Sequence, residues 1–238
     1  MLLNESRDVR DRLARMEAAK ANIVEATSLS VKANELKTWA TKVQLLSERN
    51  RLLRKKSVAQ SSSLDANPVL QAIKLSSDRF AESPQVSTLV GGQRWSKLVA
   101  SLGEFSIAAE TMQKQDWAKH FATRLFAGVA PELRKQTIVQ SMPDNIVALR
   151  NYTQWYQRFI KYRNVVPASA EDFDDVQSCS DQLAAITFKE NDTVPGPVKA
   201  FFNATSSGSG AGLDFLTAEV VEWLRTNHML ANYVVRAR

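Results

Sequence analysis

Apolar residues recur at helical spacing from about Ser6 to Lys56, and no Gly or Pro interrupts them, so the chain is expected to open with one long helix. At about 1.5 Å per residue such a helix is ~75 Å long. Leu2, Val9, Met16 and Ile23 repeat every seven residues. The phase then slips through Ala26, Leu29 and Ala33, after which Leu36, Trp39, Val43, Leu46, Asn50 and Leu53 continue in alternating steps of three and four. That second set is an a/d seam with Asn50 at an a position, where a buried amide fixes register and strand number at a cost in stability. The slip marks a change of apolar face. The pattern suits a projecting rod that pairs with another chain; the alternative is a long helix folded back on its own body.

Downstream, Ser57 to Ala66 is polar and Ser-rich and reads as a hinge. Asn67-Pro68 then offers a cap followed by Pro at the first helical position, starting a helix to about Ala81. A loop through Pro84 and Gly91-Gly92 follows. Helices are expected over 93–111, 114–127, 131–140, 145–164 and 169–188, with breaks at Gly128, Pro131, Pro143 and Pro167. Ser169 is placed to cap the last of these, and Glu171, Asp172, Asp174 and Asp175 load its first turns with the negative charge a helix N-terminus favours. A short helix from Pro197 to Ala204, a flexible SSGSGAG loop at 206–212 and a helix over 213–227 precede NYVVR at 232–236, which reads as one short strand in need of a partner edge. The expected fold class is all-α: a long, coiled-coil-like N-terminal helix and a helical bundle body, with one short C-terminal strand. The divisions are an arm over 1–56, a hinge over 57–66, a body over 67–205 and a closing segment over 206–238.

Charge sharpens the picture of the arm. The first sixty residues hold thirteen Lys/Arg against seven Asp/Glu, whereas the remainder holds eighteen of each, so the whole excess of +6 lies in the first helical stretch. Arg49, Arg51, Arg54, Lys55 and Lys56 form the densest basic patch, opposed by Glu48. Cations suit a helix C-terminus, but five in eight residues exceed what capping requires and suit phosphate or an acidic partner. A basic region that precedes a zipper would resemble a bZIP reader; here it follows the seam. The single Cys179 excludes an intramolecular disulfide and fits a reducing cytoplasm. No stretch approaches the roughly 20 apolar residues that span a bilayer, and the start lacks the apolar run of a signal peptide. A cytoplasmic, membrane-free protein is therefore expected.

Candidate chemistry is sparse. His120 and His228 have no companions at metal-ligand spacing, and one Cys does not build a zinc site. The acidic run at 171–175 comes from one helix start, whereas metal-dependent phosphoryl chemistry needs carboxylates converging from separate elements. SSGSGAG lacks the GK[ST] of a phosphate loop. In WYQRFIKYR, Trp155, Phe159 and Tyr162 share a helical face and read as core, with Arg158 and Lys161 at its edge. No catalytic residue, metal ligand or cofactor is assigned.

PASAEDFDDV at 167–176, VKAFFNA at 198–204 and GAGLDFLTAEVVEWLRTNHMLANYVVR at 210–236 make the last seventy or so residues resemble an uncharacterised family of helical bacterial proteins from multi-gene, defence-type operons. The resemblance implies a bacterial accessory subunit and transfers no active-site residue. The expected function is a non-enzymatic adaptor or structural subunit of a homo- or hetero-oligomeric complex, in the setting of anti-phage defence. Leu36, Trp39, Val43, Leu46 and Leu53 would supply its apolar contact and Asn50 its register. The alternative is a DNA- or RNA-binding accessory factor that grips phosphates with the Arg49–Lys56 patch.

Overall fold

The computed structural model describes residues 2–61, 63–207 and 210–235, with side chains described from Arg10 onward. The fold is all-α, and the only β pairing among the described residues is an isolated antiparallel bridge, Ile138 to Glu190. The chain divides into two compact units, Met1–Trp117 and Ala118–Arg238. This replaces the expected arm, hinge, body and tail. The second half of the first helix lies in a core of its own unit, so it is not a separate arm.

The first unit begins with α1, Leu2–Lys55. Its end is set by Ser57, which takes a left-handed φ of 60°. Val58 N–H then donates to Leu53 C=O at 2.9 Å and Ser57 N–H to Arg54 C=O at 3.0 Å, satisfying carbonyls that the helix leaves open. This is a Schellman arrangement, and the apolar pair that accompanies it is Leu53 and Val58, both buried. The segment expected as a hinge is anchored at its described positions. Gln60 exchanges bonds with Asn50 and Arg54, and Ser61 N–H donates to the buried Asp116 carboxylate at 3.0 Å.

Next come α2, Asn67–Glu82, and α3, Val86–Val90, followed by α4, Arg94–Arg124. Asn67 is the first helical residue rather than the cap; its N–H is taken by Asp65 at 2.9 Å, with Pro68 in the first turn as expected. Gly92, at φ 59°, supplies the left-handed turn between α3 and α4. The two helices expected over 93–111 and 114–127 are one. Between Arg94 and Arg124 there is a single Gly and no Pro, so nothing in the backbone ends the hydrogen-bond ladder. Val69, Trp95, Leu98 and Leu102 form the buried centre of this unit, with Trp39 and Val43 of α1 packed against it. The Trp95 indole N–H donates to Glu35 at 3.0 Å, and Gln113 donates to the Leu46 carbonyl at 2.8 Å.

The second unit contains α5, Pro131–Thr137; α6, Pro143–Ile160; α7, Ala170–Ala185; α8, Gly196–Ser206; and α9, Ala218–Thr226. Ser169 caps α7 as expected and Asp172 completes a reciprocal capping box. Two apolar centres hold the unit. One is aromatic: Phe121 stacks on Phe159 at 4.4 Å, and Tyr152 meets Phe188 edge-on at 5.5 Å. The other gathers Val198, Phe201 and Phe202 of α8 with Val220 and Leu224 of α9. Asn145 sits between backbones, its amide donating to Val139 and Lys189 carbonyls and its oxygen accepting from Lys189 N–H, each at 2.9 Å.

The expected C-terminal strand is absent among the described residues. A 3₁₀ turn over Leu230–Asn232 brings Tyr233 onto Phe201, ring centres 5.1 Å apart, so burial of the ring decides the local path. The rest of the expected 213–227 helix is likewise shortened: Leu213–Phe215 is a 3₁₀ turn, and Thr217 caps α9 through Val220 N–H.

Candidate partner-binding surface

The seam on α1 does not form one open stripe. Leu46 is 6% exposed and Leu53 2%, both covered by their own chain, while Trp39 and Val43 are half-buried against α2 and α4 side chains. Leu36 stays 39% exposed. Asn50, half-buried, accepts from Gln60 of the same chain, so its amide secures the turn after α1 instead of an intermolecular register. These placements correct the expectation that Leu46, Asn50 and Leu53 face another subunit.

The earlier apolar set behaves differently. From Arg10 to Val24 every α1 side chain is exposed, Met16 at 69% and Ile23 at 67% among them, joined by Leu13, Val24 and Val31. Leu2 and Val9 of that repeat lie outside the described side chains. Glu25 anchors α1 to the next helix: its carboxylate accepts from Val86 N–H at the start of α3. An amphipathic helix normally buries its apolar side, and a row of large apolar residues left in water on one helix marks an interaction surface.

A second apolar feature is a groove of about 1060 Å³ lined by α1, α2 and α4. Leu29, Ala33, Leu36, Ala40 and Val43 make one wall at steps of four and three, and Leu70, Ile73 and Phe80 lie on the other. Trp95, Leu98 and Leu102 of α4 belong to the same lining. Leu70 and Ile73 are 58% and 44% exposed, so the groove has an apolar lip. The a/d spacing of α1 gives its seam but not this groove, which needs α2 and α4 to form. The signal was present in α2, whose apolar residues recur at helical spacing with no other helix assigned to cover them.

The basic patch is divided in the fold. Arg51, Arg54 and Lys55 are exposed, whereas Arg49 and Lys56 are half-buried, and Arg54 also donates to Gln60 at 2.8 Å. Arg51 borders the groove. The acidic run has structural work: Asp172 closes the capping box, and Asp175 pairs with Arg158 and accepts from the Tyr162 hydroxyl at 3.0 Å. Burial, and then that bond to a carboxylate, push the Tyr162 phenol up to about 12. His120 lies 5.8 Å from the Phe173 ring and is held below 6.5 by burial and by Arg124. The buried Cys179 thiol is pushed up, away from thiolate reactivity, by burial and by Asp175. Trp155 carries Arg158 over its ring at 5.1 Å, and Phe159 is buried, so these rings serve packing.

No helix among the described residues is long and apolar enough to cross a membrane. No protein-family model, curated protein or solved structure matches the chain.

Proposed function

We propose that this chain is a non-enzymatic helical adaptor, a subunit of a cytoplasmic multi-protein complex that uses the N-terminal half of α1 as its grip. The observation that carries the reading is the uncovered apolar row Leu13, Met16, Ile23, Val24 and Val31, with exposures from 54% to 69%. Leaving such residues in water forfeits roughly 1.5–3 kcal/mol of burial for each large side chain, which a partner restores. The setting implied by the C-terminal resemblance, an accessory subunit in bacterial defence, fits an adaptor. Replacing Met16 and Ile23 together by Asp tests the reading. The mass of the complex purified at native expression, measured by light scattering, should fall to that of the isolated chain while the helical circular dichroism is retained; an unchanged mass defeats it.

The second reading is a nucleic-acid-binding accessory factor, favoured by the exposed trio Arg51, Arg54 and Lys55 at the end of α1. Its mark is affinity for DNA or RNA that falls steeply with salt, with a slope that shrinks when the trio is neutralised. Absence of salt-sensitive binding removes it.

A further inference from the structure

The groove between α1 and α2 lies on a different side of α1 from the exposed row. At about 100° per residue, Leu29, Leu36 and Val43 point roughly 100–160° away from Leu13, Val24 and Val31. We infer that this groove receives an acidic amphipathic helix from a different protein; the inference rests on the adaptor reading and supplies the chemistry of a partner.

Three observations fix the occupant. The first is the shape. Both long walls are helices, and the α2 side is lined from Ala66 to Phe80, about 21 Å at roughly 1.5 Å per residue, which suits an occupant helix of four to five turns. The second is the lip. Leu36, Leu70 and Ile73 are all at least 39% exposed, and a third apolar stripe laid between the walls covers them as helix-in-groove recognition does. The third is charge. Gln44 and Arg51 border the groove, and Lys37 and Lys55 fall on the same edge of α1 at steps of seven and four. Glu48 is the one acidic residue on α1 between Lys37 and Lys55, and it accepts from Gln44 at 2.9 Å. Farther up, Glu25 and Glu35 are engaged by Val86 N–H and by Trp95. The outward edge is therefore basic, and an acidic helix complements it.

The same charge argues against a second copy of this chain. Pairing through α1 would bring the exposed row's flank, where Arg10, Arg12 and Lys20 outnumber Glu17, against Lys37, Arg51 and Lys55. Like charges across an interface oppose association.

The test uses the full chain and two synthetic amphipathic helices of about 18 residues, identical in their leucine stripe, one flanked by Glu and the other by Lys. Fluorescence anisotropy should show the Glu-flanked peptide binding about tenfold or more tightly than the Lys-flanked one, with the difference shrinking at about 0.5 M salt. Leu70→Asp with Ile73→Asp, both at exposed positions, should lower that affinity about tenfold or more without changing helical content. Lys37→Glu with Arg51→Glu should reverse the preference. Equal binding of the two peptides, no saturable binding, or preservation of affinity in the Leu70/Ile73 variant overturns the inference. So does a concentration-dependent homodimer that excludes the Glu-flanked peptide. Because Met16 and Ile23 are intact in these variants, a failed groove with an intact complex sinks this inference alone, and a failed Met16/Ile23 test with peptide binding retained sinks the grip on α1 alone.

Discussion

The two units of this chain bury apolar residues to very different degrees. In Ala118–Arg238, Met142, Val176, Cys179, Val198, Phe202, Val220 and Leu224 are all fully buried, and rings meet rings around Tyr152, Phe159 and Phe202. In Met1–Trp117 the central cluster is Val69, Trp95, Leu98 and Leu102, while large apolar side chains on α1 and α2 remain in water. The second unit also leaves Leu133, Ile146, Val147 and Val165 more than 40% exposed, but beside a much larger set of buried side chains. The first carries amphipathic faces whose covering is unfinished, and helices gain most of their stability from packing such faces. The contrast teaches where to look for partners: on the unit whose uncovered apolar residues line up, along the N-terminal part of α1 and along the α1–α2 groove.

The largest effect that bears on this contrast is expected from Phe202→Ala. The ring is fully buried and meets Phe201, Trp223 and Tyr233, so the variant should lose about 3–5 kcal/mol in urea denaturation of the second unit. A loss below about 1 kcal/mol would mean that this core is looser than the contrast requires. Asn145→Ala should follow, at about 1–3 kcal/mol, because it strands two carbonyls and an N–H that the buried amide serves. Thermal melts of the variant beside Asn145→Asp, which keeps the acceptor, separate the lost donor from the lost volume.

A smaller, pH-dependent effect belongs to His120. Its folded form resists protonation through burial and the Arg124 charge, so the native state binds fewer protons than the unfolded chain as pH falls below 6.5. Stability from this source is present above pH 6.5 and is lost on acidification; His120→Gln should flatten that part of the melting profile between pH 7 and 5. The smallest effect is expected in the first unit. Ile23→Ser changes a residue 67% exposed and should alter the melting free energy by less than about 0.5 kcal/mol. A larger loss would show that Ile23 is covered in the isolated chain, and the contrast between the units would close.

Much of the fold was legible because backbone signals are local. A run without Gly or Pro predicted α1, Pro68, Pro131 and Pro143 each stand at a helix start, and Ser169 capped the helix assigned to it. What the pattern could not carry was long-range. Asp116 holding Ser61 turned a Ser-rich stretch into an anchored one, and nothing near residue 61 announces a carboxylate 55 positions away. Tyr233 left the expected strand because Phe201 and Phe202 offered burial. In the candidate site, periodicity located the apolar residues of α1 correctly but did not say which of them the chain would cover. Leu46 and Leu53 carry the same seam spacing as Leu36, and their fates were decided by α4 and by the turn at Val58.

Glu25, held by Val86 N–H, stands at the base of about fifteen residues, or ~22 Å, of helix with exposed side chains back to Arg10. No Gly or Pro softens that stretch, so it behaves as a lever with its fulcrum at Glu25. A tilt of about ten degrees there sweeps the far end through roughly 4 Å. Cutting the Glu25 tether would shift the fulcrum toward the next anchored residue and lengthen the sweep, which gives one carboxylate control over how wide a volume the grip can search.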